Sequence, residues 1–263
     1  MPETIMSTSN PLVKLIRSLR QHKGRDESGL FLVEGIHHVG EASEAGWDLQ
    51  TLVYSPELLT SEYGLQLVES VSHRGVRLAA FSRELFAGLA DKENPQGILA
   101  VVAQKHLALK ELTGEAIPWG AACVSPQDPG NVGTILRTLD AVGAGGLFML
   151  DGGVDLYHPS VVRASMGTLF WKPVIQASFK EFVLWAHEHE FLLVGSSAHA
   201  AMDYRDFRRE NRKVILLLGS EQKGLSAEQQ TACDLHLSMP MLGRASSLNL
   251  AVAAGVLLYR MME

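Results

Sequence analysis

The stretch SPQDPGNVGTILRTLDAVGAGGLFML, residues 125–150, sets glycines on both sides of one arginine and leads from the apolar run AACV (121–124) into a second one, LFML (147–150). That order predicts a strand, a tight loop, a helix and a second strand, with a ligand held where the first strand meets the helix. Two phosphate-binding patterns do not fit. A P-loop needs Gly-Lys-Ser/Thr after its glycines, which GNVGTILR lacks, and a dinucleotide fingerprint needs G-x-G-x-x-G, whereas Gly130 and Gly133 are spaced differently. What remains is a loop whose glycines allow close backbone approach. The helix after it puts Val132, Ile135, Leu136 and Leu139 on a buried side and Thr134 and Arg137 on a free side. Taken alone, the stretch reads most simply as a glycine-rich turn with a surface arginine.

Two further segments change that reading. VILLLGSEQKGLS (214–226) is an apolar strand running into a glycine-rich loop with a single acid, Glu221; LSMPMLGRASSLNLAVAAGVLLY (237–259) is a strand, a loop of small residues and a helix with Ser246, Ser247 and Asn249 at its start. Each puts polar groups at the carboxyl end of a strand, where open α/β sheets bind ligands. For Ser246 and Ser247, simple helix capping competes with a functional role. For Asn249, expected one or two residues inside the helix, capping explains less.

The rest of the chain supplies the frame. With 263 residues, 46% of them hydrophobic, it is long enough for two ordinary α/β domains. The expected division is 1–106, a linker at 107–118 where Gly and Pro interrupt the pattern, and 119–263. In the first part, strands at LFLVEG, LQTLVYS, VRLAAFS and GILAVVAQ alternate with helical stretches, one of them covering 56–75. In the second, strands fall near 119–124, 147–150, 191–195, 213–218 and 235–239, with a last helix near 247–261. No apolar run approaches the roughly eighteen residues that cross a bilayer, and the first residues lack the basic-then-apolar order of a secretion signal, so a cytoplasmic protein without a membrane partner is expected. Cys123 and Cys233 have no ligand-like spacing and read as small core residues. His37, His38 and the HEH at 187–189 lack a third ligand, so no metal is expected. The aromatics of WDLQTLVY and LFWKP could stack on bases, but core packing is expected for most of them, with Trp171 left open.

A net charge of −6 argues against a polyanion binding over the whole surface. A local patch exists at NPLVKLIRSLRQHKGR (10–25), where Leu12, Leu15, Ile16 and Leu19 make one apolar helix face and Lys14, Arg17, Arg20, Lys23 and Arg25 supply five cations with no anion. Contact with RNA phosphates and an ordinary solvated face explain this run equally well.

Together, NVGTILR, LGSEQKGL and PMLGRASSLN resemble, in this order and spacing, the three signature motifs of the SpoU family, the 2′-O-ribose RNA methyltransferases of the SPOUT class. VVRASMGTLFWKPV (161–174) resembles the segment after the first motif, and NPLVKLIRSLRQHKGRDESGLFLVEG resembles, less specifically, the family's ribosomal-protein-like substrate-binding domain. The one departure is Ser220, where many members carry Asn or Gly.

The resemblance implies an α/β fold whose second domain has a mostly parallel sheet and a deep trefoil knot, a rare exception to unthreaded chains. It implies that Asn131 and Arg137 handle the RNA and the reacting ribose, that Glu221 supports the site, and that Ser247 and Asn249 complete it. S-adenosylmethionine would be held by backbone around Gly219, Met239 and Leu248, with Ser196, Leu218 and Met241 beside them. The implied activity is 2′-O-ribose methylation of structured RNA, ribosomal in preference to transfer RNA, by a homodimer whose active site draws on both subunits. A stripe of Ala251, Ala254, Gly255 and Leu258 on the last helix would allow close packing, between subunits or within one. Because arginine keeps its proton at ordinary pH, Arg137 is assigned first an electrostatic role beside the ribose, with the proton acceptor left open. Two other readings stand beside this one: a non-catalytic RNA-binding or ribosome-assembly protein that keeps the fold, and a methyltransferase of small molecules. Asn131, Arg137, Glu221 and Asn249 together argue against the first, and the basic segment and extra domain against the second.

Overall fold

The structure, a computed structural model, describes residues 4–91, 93–197 and 200–263. The chain forms two compact units, Met1–Lys105 with Tyr157–Trp171, and His106–Leu156 with Lys172–Glu263. The segment Tyr157–Trp171, which the sequence division assigned to 119–263, therefore groups with the first unit.

In the first unit the elements run β1 (Thr4–Ile5), α1 (Pro11–Ser18), α2 (His22–Ser28), β2 (Leu30–Glu34), α3 (Ile36–Glu44), β3 (Leu49–Tyr54), α4 (Glu62–His73), β4 (Arg77–Phe81), α5 (Arg83–Ala87) and β5 (Ile98–Ala103). The five strands form one sheet in the order β1-β4-β3-β5-β2, with β4 parallel to β1 and β3, and β5 antiparallel to β2 and β3. The helix expected over 56–75 is shorter, because the Ser61 side chain accepts from the Gly64 backbone and starts α4 there.

The basic segment differs most from expectation. Asn10 caps α1 and Pro11 occupies its first position, but the helix stops after Ser18 and a second helix folds back on it. The return is tight: a Cβ on Gly24 would lie 2.1 Å from the Ser18 carbonyl oxygen. Leu12, Val13, Ile16 and Leu19 are buried in a core with Phe81, Phe86 and Leu99. Arg25 is buried too, and its Nη1 donates to the Leu19 carbonyl at 2.9 Å. A guanidinium on the free carbonyls at a helix C-terminus satisfies groups that would otherwise lack partners. Arg20 donates to Glu34 at 3.0 Å and to the Leu89 carbonyl, with Asp91 at 3.4 Å. Of the five candidate cations, Arg20 and Arg25 are thus engaged within the fold, which corrects the reading of a single cationic run to three exposed residues, Lys14, Arg17 and Lys23.

Within the same unit, α7 (Pro159–Ala164) is capped by His158 and leads to Met166 and Gly167, both at positive φ. Trp47 is packed edge-on against Phe31 and Phe170. Trp171 is 54% exposed, its indole N–H donating to Glu41 at 2.6 Å.

The second unit runs β6 (Trp119–Val124), α6 (Pro129–Ala141), β7 (Gly146–Leu150), β8 (Val174–Ala177), α8 (Phe179–Glu188), β9 (Leu192–Ser196), β10 (Met202–Asp203), β11 (Val214–Leu218), α9 (Ala227–Thr231), β12 (Leu235–Ser238) and α10 (Leu250–Met262). Its seven strands are parallel throughout, in the order β10-β12-β9-β11-β6-β7-β8. The central β6 and β11 are buried along their whole length, as a sheet covered on both faces requires. β8 was not anticipated; it is short and lies at the sheet edge, where half-buried Val174 and exposed Gln176 leave no apolar run to read.

α10 packs against α6 and β11. Ala251, Ala254 and Leu258 of the small-residue stripe are buried in that packing, so the stripe serves the chain's own fold. The outward face is a different one: Val252, Val256 and Tyr259 recur at i, i+4 and i+7 and stay 52%, 36% and 51% exposed, with Met262 beyond them.

Candidate active site

Asp128 and Pro129 open α6 with the preferred cap and first residue, the Asp128 carboxylate accepting from the backbone of Gly130 at 2.6 Å and of Asn131 at 3.2 Å. The cap fixes Asn131 in the first turn, 7% exposed. Across the end of the sheet, the residues after β11 turn back sharply, with the Gly224 N–H donating to the Ser220 carbonyl at 2.8 Å. The two motif glycines make the turn feasible: Gly224 sits at φ +64°, and a Cβ on Gly219 would lie 2.1 Å from the Gly224 carbonyl carbon.

The turn carries Glu221 over the start of α6. Its carboxylate accepts from Asn131 Nδ2 at 3.0 Å, from the Gln127 N–H at 3.0 Å and from the Asp128 N–H at 3.2 Å. Burial alone would favour the protonated form, but these hydrogen bonds outweigh it and hold the Glu221 carboxyl below the usual range. Beneath it, Cys123 is fully buried, and burial with the Glu221 charge pushes its thiol up to about 12, so it stays an unreactive core residue.

The third loop supplies Asn249. Its Nδ2 donates to Asn131 Oδ1 at 3.0 Å, while its Oδ1 accepts from the Ala251 and Val252 backbone at 2.9 and 3.3 Å. It is therefore the N-cap of α10, which corrects the expectation that it lay inside the helix with Ser246 or Ser247 as cap. The chain of bonds has one direction. An ionised Glu221 only accepts, so the Asn131 amide must turn its NH2 toward it and its oxygen toward Asn249, whose own oxygen must then face the helix N–H groups.

Beside this chain of bonds lies a cleft of about 610 Å³, lined by Ser196, Leu218, Gly219, Met239, Met241, Ser247, Leu248 and Asn249 among others. All six positions expected to surround a cofactor lie on its wall. Its lining is mixed, with Leu218, Leu237, Met239, Met241 and Leu248 beside Ser196, Glu221, Lys223, Ser247 and Asn249, which suits a ligand that is part heterocycle and part charged chain. Among the described residues, no group of three or more His, Cys, Asp or Glu side chains is placed to hold a metal ion.

Residues 121–259 match the SpoU rRNA Methylase family and residues 10–100 match the MRM3-like substrate binding domain. The chain belongs to the SpoU family. A 23S rRNA (uridine(2479)-2'-O)-methyltransferase of Streptomyces viridochromogenes is 35% identical over 89% of this chain and 83% of that protein. A 23S rRNA (guanosine(2553)-2'-O)-methyltransferase, RlmP, of Bacillus subtilis is 29% identical over 98% of each. The AdoMet-bound rRNA methyltransferase from Sinorhizobium meliloti shares the fold with a TM-score of 0.89 and 32% identity, over 98% of this chain and 96% of that one.

Of the polar positions read from the SpoU motifs, the structure brings Asn131, Glu221 and Asn249 together and puts Ser247 on the cleft wall. Arg137 is elsewhere. Six residues after Asn131, about one and two-thirds turns and ~9 Å along α6, it is exposed, with no hydrogen bond or ion pair among the described residues. Sequence reasoning missed Asp128, which caps α6 and thereby places Asn131. The signal was present in DPG at 128–130, since Asp followed by Pro is a common way to begin a helix.

Proposed function

We propose that the chain transfers the methyl group of S-adenosylmethionine to a ribose 2′-hydroxyl of ribosomal RNA. The observation that carries this reading is the Glu221–Asn131–Asn249 chain of hydrogen bonds at the rim of a cleft of matching size, in a member of the SpoU family. S-adenosylmethionine supplies an electrophilic methyl on a sulfonium. The residues around Gly219, Met239 and Leu248 hold it, with Ser196, Leu218 and Met241 completing the walls, in loops that this reading takes to be knotted. Asn131 and Asn249, oriented by Glu221, and Ser247 position the ribose; fixing the attacking oxygen in line can contribute about 7–11 kcal/mol.

As the O–CH3 bond forms, the S–CH3 bond breaks, the donor leaves as a neutral thioether and the hydroxyl proton passes to water; Arg137 acts through its charge, stabilising the oxygen as that proton leaves. Because it is exposed and makes no hydrogen bond to this chain's own cluster, it serves the site of a second copy. The exposed face of Val252, Val256, Tyr259 and Met262 on α10 supports such a homodimer, since a helix packed beside α6 carries an unpartnered apolar strip. Lys14, Arg17 and Lys23 contact RNA phosphates, and exposed Trp171 offers a face to a base. No helix among the described residues is long and apolar enough to cross a membrane, and the reading places the protein in the cytoplasm with its RNA.

The test is transfer of labelled methyl to ribosomal RNA, with calorimetry of S-adenosylmethionine binding. Binding with transfer supports the enzyme; RNA binding without either supports a fold kept for assembly alone.

A further inference from the structure

A second cavity, of about 360 Å³, opens on the other side of the 220–224 turn. It is lined by Ser125 and Gln127 after β6, by Gln222 and Lys223 in the turn, and by Ser226 and Gln229 at α9. We propose that this cavity takes the nucleobase of the nucleotide being methylated and reads its edge with the carboxamides of Gln127, Gln222 and Gln229. The inference rests on the methyltransferase reading above and names what that reading leaves open, the means by which one base is told from another.

Position favours this occupant. Ser220, Gln222, Lys223 and Gly224 line both cavities, so a single turn of backbone separates the proposed donor site from the second cavity. A base is one glycosidic bond from its ribose, and a ribose offered to the rim at Glu221 and Asn131 carries its base past this turn. Glu221 itself does not line the second cavity; its carboxylate is turned to the backbone of Gln127 and Asp128 and to Asn131.

The lining chemistry favours it as well. A carboxamide presents a donor and an acceptor side by side, the pattern found along the hydrogen-bonding edges of nucleobases. Single-stranded RNA is read in this way once a base is splayed out of its stack. The Gln127, Gln222 and Lys223 side chains have no hydrogen-bond or ion-pair partner among the described residues. Gln229 accepts from the Ser226 N–H with its Oε1, which leaves its amide N–H groups to donate. No carboxylate lines the cavity, and Lys223 gives a cation for the adjoining phosphate. Gln127 also connects recognition to chemistry, because its backbone N–H is held at 3.0 Å by the carboxylate that orients Asn131.

The experiment uses the full-length protein, labelled S-adenosylmethionine and 23S rRNA transcripts. The modified position is mapped first, and four transcripts carrying A, C, G or U there are then compared. The parent is expected to prefer one base strongly. Gln127→Leu and Gln229→Leu, in different elements, should each narrow that preference about tenfold, the order of one lost base-edge contact, with S-adenosylmethionine affinity unchanged. Turnover that falls equally on all four transcripts, a parent indifferent to the base, or weakened S-adenosylmethionine binding in both variants would each overturn the inference. In the last case the cavity would belong to the methyl donor. Absence of transfer by the parent would remove the methyltransferase reading, and the inference with it.

Discussion

The basic segment at 10–25 and the three loops at the strand ends of the second unit are both rich in polar side chains, and they use them in opposite ways. In the first, Arg25 and Arg20 turn inward to the chain's own carbonyls and carboxylates, so part of an apparent binding surface is internal structure. In the second, Asn131 and Asn249 also make structural bonds, yet each amide bridges two partners and the group stays at the rim of a cleft. Side-chain type therefore says little about role until the partner is known. A charge that finds a backbone carbonyl becomes a fastening, and an amide shared between two loops ties them together at the edge of a cleft.

The sharpest break in this contrast is Asn131→Ala. Losing the central link should cut methyl transfer about 100- to 1,000-fold, the range for removing one preorganised donor, while circular dichroism stays unchanged; a loss under tenfold would reduce the link to scaffolding. On the other side of the comparison, Arg25→Met leaves the end of α1 unsatisfied and should lower unfolding free energy in urea by about 2–3 kcal/mol. Lys23→Ala should change it by less than ~0.5 kcal/mol, and equal effects would refute the division between fastening and surface charge.

A third outcome concerns pH. Since hydrogen bonding lowers the Glu221 carboxyl, it contributes stability above its unfolded value of about 4.3 and loses it as pH falls through the folded value. The gap in thermal midpoint between the parent and Glu221→Gln should hold steady at neutral pH and close only below the ordinary glutamate range. The smallest effect is expected from Lys14, Arg17 and Lys23 changed together to Gln. RNA binding should weaken, with its salt slope falling by roughly two units, while S-adenosylmethionine affinity stays the same. An unchanged slope would return all three to an ordinary solvated face.

The sequence carried the central strands and the three motif loops clearly, because a fully buried strand such as VILLL ending in glycines has few other readings. It did not carry the fate of Arg25, since burial of a cation depends on whether a helix folds back at Gly24, a contact outside any local pattern. Asn249 was displaced by a residue or two for a related reason: Ser246, Ser247 and Asn249 are all good caps, and only the packing of α10 on α6 selects one. β8 escaped because an edge strand with exposed Gln176 has no clear period. Arg137 was singled out by its motif, but its separation from Asn131 follows from helix geometry, which a motif does not express.

The hydrogen bonds that join Asn131 to Glu221 and to Asn249 span 90 and 118 positions of the chain. Contacts of such separation carry a loop-closure cost that only the assembled unit offsets. A chain that has folded β6, α6 and β7 but has not yet docked α10 has an Asn131 with no neighbour to orient it. The site thus belongs to no single segment: it exists only where β6, β11 and α10 are assembled together, and a fragment lacking either partner strand or helix has no oriented Asn131.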